Sequence, residues 1–269
     1  MSHPQVIFVT GVSSGIGRAA AEKFAQRGCK VFGSVRHAST VAAIPGVEFI
    51  EMDVRDTDSV IRAVNDIVQK AGRIDVLVNN AGVTLLGAVE ETSVKEAQTL
   101  FDTNFFGILR TTQAVLPHMR QHHHGRIINL SSVLGFLPAP YMGLYAASKH
   151  AVEGLSETLD HEVRNLGIRV VLIEPAYTKT NLDMNAPQAA NLIAAYDHDR
   201  NRASMTIKQG IEKAPDPKSV VDSIVDAAFN PWTMRRTPKG EATLLRILRR
   251  FMPAGPVDAS LRKSFGLSR

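Results

Sequence analysis

The hydrophobic residues of this chain form short continuous runs that alternate with longer stretches of helical periodicity. The runs are rich in Val, Ile, Leu and Phe and are not broken by regularly alternating polar residues. This is typical of strands that are covered on both faces in a parallel sheet. Six strands are predicted on this basis: Gln5–Thr10, Cys29–Val35, Val47–Met52, Val76–Asn79, Arg126–Ser131 and Ile168–Glu174.

Helical stretches separate these runs, near residues 16–27, 57–70, 93–120 and 145–165. Asp56 and Ser93 are candidate N-caps for two of them, and a later helix opens at Asp216-Pro217 and runs to about Phe229. Strand–helix alternation of this kind predicts an α/β fold, a doubly wound parallel sheet of the Rossmann type with right-handed crossovers. No linker or repeat divides the sequence, so all 269 residues are predicted to form a single domain.

Composition narrows the class of protein. Apolar residues make up 44% of the chain, which is ample material for a core. Cys29 is the only cysteine, so a disulfide framework and a multi-thiolate zinc site are excluded and a reducing compartment is favoured. The N-terminus carries no charged segment before its first apolar run, and no apolar run approaches the roughly 18 residues of a membrane span. The sequence therefore predicts a soluble, cytoplasmic protein.

Positive charge is concentrated in the C-terminal segment. The net charge of +5 by itself invites a nucleic-acid or membrane partner. Residues 1–234 contain 22 Lys and Arg against 24 Asp and Glu, whereas residues 235–269 contain nine against two. The body is therefore slightly acidic, and only the segment 235–269 is strongly basic.

A glycine-rich turn follows the first predicted strand and leads into the first helix. Its sequence is Gly11-Val12-Ser13-Ser14-Gly15-Ile16-Gly17. Glycines allow a tight turn and a close approach of the backbone to a pyrophosphate, and the helix N-terminus offers unpaired N–H groups to the anion. The GxxxGxG spacing differs from the usual GxGxxG, so the turn indicates a nucleotide site or, alternatively, only a tight strand–helix connection.

Further motifs follow this turn in order. They are Asp53-Val54, Asn79-Asn80-Ala81-Gly82, Asn104, Ser132, Tyr145-x3-Lys149 and Glu174-Pro175. Together with the glycine-rich turn they make the sequence resemble the single-domain type of the short-chain dehydrogenase/reductase family, over roughly residues 5–230. The resemblance implies a nicotinamide cofactor and the interconversion of an alcohol and a carbonyl compound.

The end of the second strand bears on the choice of cofactor. In a dinucleotide fold it lies beside the adenosine ribose, where a carboxylate would bind the 2′-hydroxyl and repel a 2′-phosphate. Here Arg36 follows the strand and no carboxylate does, so NADP(H) is favoured over NAD(H). The alternative is that Arg36 is a solvated surface arginine.

The resemblance also implies the other cofactor contacts. Asp53 would hydrogen-bond the adenine amino group, or alternatively flank the next helix as a cap. The remaining positions are Gly11, Ser13, Ser14, Gly15, Ile16, Gly17, Val54, Asn80, Ala81, Gly82, Tyr145, Lys149, Pro175, Thr178 and Thr180. Where the family usually has Pro-Gly, this chain has Pro175-Ala176. Because alanine enters positive φ less readily than glycine, the local backbone is expected to differ from the family pattern.

The catalytic candidates are Asn104, Ser132, Tyr145 and Lys149. Tyr145 and Lys149 share one helix face, and an adjacent ammonium lowers a tyrosine pKa from its ordinary value of about 10. Tyr145 would then act as the general acid/base, while Ser132 hydrogen-bonds the substrate oxygen. By resemblance, Lys149 also holds the nicotinamide ribose and Asn104 anchors a water that relays protons. Taken singly, they could instead be a surface pair, a turn cap at Ser132 and a helix kink at Asn104.

Apolar residues surround the catalytic pair in the sequence. They are Leu134, Phe136, Leu137, Tyr141, Met142, Leu182 and Met184. They favour a hydrophobic alcohol, ketone or aldehyde as substrate, with core packing as the alternative. Residues 178–215 lack a clear strand and are predicted to form a substrate lid, or alternatively an ordinary helical excursion. Val31–Arg36 and the C-terminal extension resemble the 17β-hydroxysteroid and retinol dehydrogenase branch.

The basic segment 235–269 contains a short amphipathic helix pattern over Leu244–Phe251. Packing over the substrate pocket or a neighbouring subunit is favoured over contact with an anionic membrane surface, and nucleic acid is least favoured. The family resemblance implies a homodimer or homotetramer. His118 and His122–His124 are interpreted as an exposed loop, so no metal is predicted.

These features predict an NADP(H)-dependent oxidoreductase that acts on a hydrophobic alcohol or carbonyl compound. A non-catalytic NADPH-binding sensor on the same fold is the alternative. The joint presence of Ser132, Tyr145 and Lys149 favours the enzyme.

Overall fold

The computed structural model describes residues 4–179, 186–251 and 253–267. The strands are β1 (Val6–Val9), β2 (Lys30–Val35), β3 (Val47–Glu51), β4 (Val76–Asn79), β5 (Gly125–Leu130), β6 (Ile168–Ile173) and β7 (Arg235–Arg236). The α-helices are α1 (Gly15–Gln26), α2 (Thr57–Ala71), α3 (Val94–Phe101), α4 (Gly107–Gln121), α5 (Gly143–Val163), α6 (Asp197–Glu212), α7 (Lys218–Phe229), α8 (Glu241–Phe251) and α9 (Ala254–Ser264).

The strands form one parallel sheet in the order β3-β2-β1-β4-β5-β6-β7. This confirms the predicted doubly wound α/β fold. The strand order reverses direction between β1 and β4, and in such folds ligands bind beyond the carboxyl ends of the strands at that point. The glycine-rich turn after β1 lies there.

Alternate residues of the strands feed two hydrophobic layers, one on each side of the sheet. Ile7 and Val9 of β1 pack with α1 and α7, whereas Val6 and Phe8 pack with α2 and α4. Both faces are buried, which explains why the strands appear in the sequence as unbroken apolar runs.

Helix ends agree with two of the three predicted caps. The Asp56 carboxylate accepts N–H bonds from Asp58 and Ser59, and Ser93 forms a capping box with Glu96. The prediction at Asp216 is one residue early. Pro217 is the N-cap of α7, because its carbonyl accepts the first helical hydrogen bond, from the Val221 N–H at 2.9 Å.

The predicted single helix over 93–120 is instead two helices joined by a π-helical turn at Asp102–Phe106. Arg110 stabilises this turn: its guanidinium donates to the Asp102 carbonyl at 3.3 Å and pairs with the Asp102 carboxylate at 2.7 Å. Insertions of this kind are frequent at functional sites, and this one contains Asn104.

The segment that follows residues 180–185, which are not described, contacts the loop between β4 and α3. Leu86 pairs with Gln188, and the Glu91 carboxylate binds both the Ile193 N–H and the buried Arg200 of α6. α6 is followed by α7, β7 and the two helices α8 and α9. Within the described residues no helix is long and apolar enough to span a membrane.

Candidate active site

The glycine-rich turn is folded back on the end of β2. Gly11 has a φ of +72°, which favours glycine, and its N–H donates to the Ser34 carbonyl at 3.1 Å. The Val12 N–H donates to the same carbonyl at 3.0 Å. These bonds hold the turn at the edge of the sheet where α1 begins.

Asn80, at the end of β4, fixes the turn from the other side. Its side-chain amide donates to the carbonyls of Thr10 and Gly11 at 2.9 and 3.0 Å. The Thr10 hydroxyl in turn accepts the N–H groups of Asn80 and Ala81, both at 3.0 Å. A Cβ at Gly17 would collide with the Asn80 amide and the Gly11 carbonyl, so glycine is required for α1 to start this close to the turn.

The N-terminus of α1 suits an anion. Ser14 is the N-cap, yet its side chain makes no capping hydrogen bond, and the first turn contains no acidic residue. Ser13 and Ser14 are exposed beside it. Free backbone N–H groups and the positive end of the helix dipole together form a phosphate-binding environment. These residues therefore fit the diphosphate of a dinucleotide.

Arg36 and Asp53 lie at the edge where the adenosine end of a dinucleotide is expected. Within the described residues, exposed Arg36 has no hydrogen bond or ion pair. The Asp53 carboxylate is bound by the Arg55 guanidinium at 2.6–3.1 Å, and this hydrogen bonding lowers the pKa of Asp53. The cap alternative for Asp53 is wrong, since Asp56 caps α2. The partner Arg55 was not predicted, although it stands two residues away.

Ser132, Tyr145 and Lys149 converge on one cavity of about 500 Å³. All three side chains are buried, with exposed fractions of 9%, 8% and 6%. The Lys149 Nζ lies 5.7 Å from the centroid of the Tyr145 ring and donates to the Leu130 carbonyl at 2.8 Å. The ammonium is therefore held at the floor of the cavity, beside the phenol, by the end of β5.

Ser132 both caps a turn and lines the cavity. Its Oγ accepts the Leu134 N–H at 3.2 Å and donates to the Pro175 carbonyl at 3.4 Å. The cap alternative and the catalytic interpretation are thus compatible. The predicted cofactor positions Ile16, Asn80, Gly82, Pro175 and Thr178 line the same cavity.

Asn104 lies behind the cavity wall and does not line it. Its side chain is fully buried, donates to the Val83 carbonyl and accepts the Val83 N–H, both at 2.8 Å, and donates to Ser148 at 3.2 Å. Asn104 therefore joins the π-helical turn to the backbone of Val83, which lines the cavity together with Gly82. The alternative interpretation of Asn104 as the site of a helix kink is confirmed, because Asn104 lies in the π-helical turn. Its role in binding a water molecule stays a prediction.

The Pro175-Ala176 departure leaves the backbone unstrained. Ala176 does not adopt a positive φ, and the Thr178 hydroxyl donates to the Ala176 carbonyl at 3.1 Å. Alanine is therefore compatible with the conformation seen here. The predicted contact residue Thr180 lies outside the described residues.

A cluster of charged residues lies next to the catalytic residues. It was not predicted from the sequence. Arg235 of β7 pairs with Glu153 at 3.2 Å and with Glu174 at 3.1 Å. Thr237 donates to Glu174 at 2.8 Å, and Arg246 of α8 lies 3.8 Å from the same carboxylate. Burial raises the pKa of both carboxyls. The basic segment thus supplies the cations for two buried acids of the body.

This cluster is next to the catalytic residues along the chain. Glu153 follows Lys149 by one turn of α5, and Glu174 directly precedes Pro175. The Ser131 side chain, beside Ser132, is also buried at this place. Changes in the cluster are therefore expected to reach the catalytic side chains through one turn of helix or one peptide bond.

The cavity wall is predominantly apolar. Leu134, Leu137 and Met142 line it as predicted, whereas Phe136 and Tyr141 pack in hydrophobic clusters and are not part of the wall. Leu182 and Met184 lie outside the described residues. The cavity is also lined by Thr206, Gly210, Lys213, Ala214 and Pro215, which belong to the segment 178–215 predicted as a substrate lid. Other lining residues were not predicted from the sequence, among them Tyr177, Glu241, Leu245, Leu261, Ser264 and Phe265.

Five of these missed residues come from α8, α9 and the residue that follows α9. The amphipathic pattern over Leu244–Phe251 predicted a helix that packs through its apolar side. The pattern does not indicate which part of the protein that side would contact. One side of α8 packs on Val133 and Leu137 through Ala242 and Leu245. The C-terminal segment thus forms one wall of the cavity, as the favoured interpretation of the tail expected.

His122, His123 and His124 are exposed as predicted, whereas His118 is half-buried inside α4, so the prediction of an exposed loop is wrong for His118. His122 is the C-cap of α4, and His123 follows it with a φ of +49°. Across the described ranges, no group of three or more His, Cys, Asp or Glu side chains is arranged to hold a metal ion.

Comparison with known proteins decides the family. A family model described as short chain dehydrogenase matches residues 5–191, well over half of the chain. This chain belongs to the short-chain dehydrogenase family. It is therefore an oxidoreductase with a Rossmann-type nucleotide-binding fold.

Named relatives within this family agree. A 3-ketodihydrosphingosine reductase of Bacteroides thetaiotaomicron is 42% identical over 182 residues, 68% of this chain and 67% of that protein. Dehydrogenase/reductase SDR family member 7B of Bos taurus is 34% identical over 68% of this chain and 61% of its own length. These names do not point specifically to the 17β-hydroxysteroid and retinol dehydrogenase branch suggested by Val31–Arg36 and the C-terminal extension.

Solved structures superimpose on most of the chain, and two of them are described as short-chain dehydrogenases. One from Streptomyces avermitilis has a TM-score of 0.84 at 33% identity and covers 98% of this chain and 97% of its own. A Burkholderia phymatum protein in complex with NAD (TM-score 0.78, 28% identity, 91% and 92% covered) and ElxO with NADP bound (0.74, 27%, 88% and 97%) are also similar. Similar structures thus bind either nicotinamide cofactor.

Proposed function

We propose that this short-chain dehydrogenase is an NADP(H)-dependent enzyme that interconverts a hydrophobic alcohol and its ketone or aldehyde. The observation that carries the proposal is the convergence of Ser132, Tyr145 and Lys149 on a single, mainly apolar cavity of about 500 Å³. Buried acid–base groups at one point of an otherwise apolar cavity are the usual composition of an enzyme site.

Each catalytic side chain has a distinct task in this proposal. The Tyr145 hydroxyl donates its proton to the carbonyl oxygen of the substrate in reduction and accepts it back in oxidation. The Lys149 ammonium, anchored on the Leu130 carbonyl, stabilises the phenolate that remains. The Ser132 hydroxyl stabilises the substrate oxygen as charge develops on it. A bound nicotinamide would supply or accept the hydride.

Preference for NADP(H) rests on the electrostatics of Arg36. This side chain is exposed at the end of β2, and across the described residues its guanidinium has no ion-pair partner. The carboxylate of nearby Asp53 is bound to Arg55. Arg36 is therefore available for a charge-assisted contact with a 2′-phosphate, whereas NAD(H) offers it no such anion.

Replacement of Arg36 tests the cofactor preference. Arg36→Ala is expected to raise the Kd for NADPH by about 10- to 100-fold, the range for loss of a charge-assisted hydrogen bond, and to leave the Kd for NADH almost unchanged. Both constants can be measured by fluorescence titration. Arg62→Ala removes an exposed arginine of α2 and is the matched control. Equal losses for the two cofactors would refute phosphate pairing by Arg36.

The substrate class follows from the cavity wall. Leu134, Leu137 and Met142 line the cavity, and Leu245 and Phe265 belong to the part supplied by the C-terminal segment. A mainly apolar wall favours a hydrophobic substrate over a sugar. The name of the Bacteroides relative, a reductase of a keto compound, supports a ketone.

A turnover screen distinguishes the enzyme from an NADPH-binding sensor. The purified protein is incubated with NADPH or NADH and a panel of carbonyl compounds from hydrophilic sugars to long-chain and cyclic ketones, and oxidation of the cofactor is followed at 340 nm. We expect turnover with hydrophobic carbonyls and NADPH. Tight NADPH binding without turnover of any compound would instead support the sensor.

A further inference from the structure

Helix α8 has two apolar faces, and among the described residues one of them packs inside the protein. Ala242 and Leu245 pack against the turn that follows Ser132, and the Arg249 guanidinium donates to the Phe136 carbonyl at 3.3 Å. Glu241 and Leu245 line the cavity. These contacts account for one side of the helix.

The outward side of α8 carries an exposed apolar stripe. It consists of Leu244, Ile247, Leu248 and Phe251, with exposed fractions of 56%, 53%, 39% and 76%. Their spacing of three, four and seven residues places them on one face of the helix. Four large adjacent apolar side chains in water are unusual for a surface helix and indicate that another surface covers them.

The stripe lies in a basic segment of the chain and is followed by a stretch without charged residues. Residues 251–257 contain no charged side chain and follow directly after Arg249 and Arg250. Residues 235–269 contain nine basic against two acidic residues. Among the basic side chains, Lys239, Arg249, Arg262 and Lys263 are exposed.

Charge decides between two kinds of partner for the stripe. A second copy of the chain pairing through the same stripe would bring the exposed Lys239, Arg249, Arg262 and Lys263 of the two copies close together, and like charges repel. An anionic lipid surface attracts such a segment and accepts an apolar stripe of a single helix into its interfacial layer. The surface chemistry therefore matches anionic lipid.

We propose that α8 is an interfacial helix that docks the protein on an anionic lipid surface through Leu244, Ile247, Leu248 and Phe251. The inward side of the same helix forms part of the cavity wall, so docking places the cavity one helix diameter from the lipid. Apolar compounds dissolved in the membrane would then have a short path to the site. The docking surface does not depend on which reaction the cavity catalyses.

Vesicle co-sedimentation of the full-length protein tests this proposal. The probes are phosphatidylcholine vesicles with and without phosphatidylglycerol. The wild-type protein is expected to sediment with the anionic vesicles, less with the neutral ones, and less as salt is added. The double variant Ile247→Glu with Leu248→Glu is expected to lower the bound fraction at least about tenfold, because both substitutions place a charge in the stripe.

A matched double variant controls for added charge. Ile61→Glu with Val94→Glu also introduces two glutamates at exposed apolar positions, 46% and 75% exposed, but outside the C-terminal segment. It is expected to bind vesicles almost as the wild type does, and circular dichroism checks that both variants fold. The proposal is overturned if the wild type ignores anionic vesicles or if both variants bind equally. It is also overturned if the stripe variant only converts an oligomer to a smaller species, since the stripe would then join copies of the chain.

Discussion

Tyr145→Phe is expected to lower kcat for carbonyl reduction by about 1000-fold, within the range that positioned acid–base groups contribute. Only the phenolic hydroxyl is removed, and the ring continues to fill the same buried place beside Lys149. Without that hydroxyl the substrate oxygen loses the proton donor whose pKa is lowered by the Lys149 ammonium. The measurement is steady-state and single-turnover kinetics with the best substrate of the turnover screen, together with the Kd for NADPH, which reports any change in cofactor binding separately.

Tyr196→Phe is the control for this experiment. Its hydroxyl donates to the Glu90 carboxylate at 2.6 Å in an exposed position on the segment before α6, and it does not line the cavity. The control is expected to retain wild-type kcat. Unaltered turnover in Tyr145→Phe would remove Tyr145 from the mechanism, while the family assignment and the fold would stand.

Arg235→Met is expected to lower the free energy of unfolding by about 3 kcal/mol, the lower end of the range for breaking a buried ion pair. The variant keeps a side chain of similar length but leaves Glu153 and Glu174 without their shared cation. The lower end is expected because Thr237 and Arg246 still contact Glu174. Urea unfolding followed by circular dichroism measures the loss.

The pH dependence of this loss provides a second check. Burial already raises the folded-state pKa of Glu153 and Glu174, and removal of Arg235 raises it further. A carboxyl with a raised folded pKa costs stability as the pH rises through that pKa, because the folded state must then bury the charge. The deficit of Arg235→Met is therefore expected to be small near the ordinary glutamate value of 4.5 and to grow toward neutral pH.

A double variant separates charge from packing. Glu153→Gln in the Arg235→Met background removes one uncompensated charge and is expected to recover part of the lost stability at neutral pH, with little effect at low pH. A deficit that is independent of pH and is not relieved by Glu153→Gln would show that Arg235 acts by packing alone.

The strands were predictable from the sequence wherever both of their faces are buried, because such strands consist of continuous apolar residues. β7 escaped prediction because Arg235 and Arg236 have no such run; they become a strand only by pairing with Leu172 and Ile173 of β6. The π-helical turn around Asn104 escaped for a similar reason. It depends on Arg110 and on Val83, and the latter is distant in sequence.

The site was predictable where its chemistry is local. Tyr145 and Lys149 share a helix face, and the glycines of the first turn lie within seven residues of one another. The far wall was not predictable, since Leu245 and Phe265 lie about a hundred residues beyond Tyr145 and look like ordinary amphipathic positions. In the sequence, the arginines that pair with Glu153 and Glu174 could not be distinguished from the other basic residues of the segment 235–269.

The position of these cations at the far end of the chain has a consequence for synthesis. Arg235 is translated 61 residues after Glu174, and this stretch takes roughly 3 to 12 s at common rates of elongation. During this delay the emerging protein already contains Glu153 and Glu174 but lacks Arg235, and its cavity is open along the side that α8 will close. The nascent enzyme is thus expected to be most prone to capture by chaperones, and still unable to hold a substrate, in the seconds before this segment emerges.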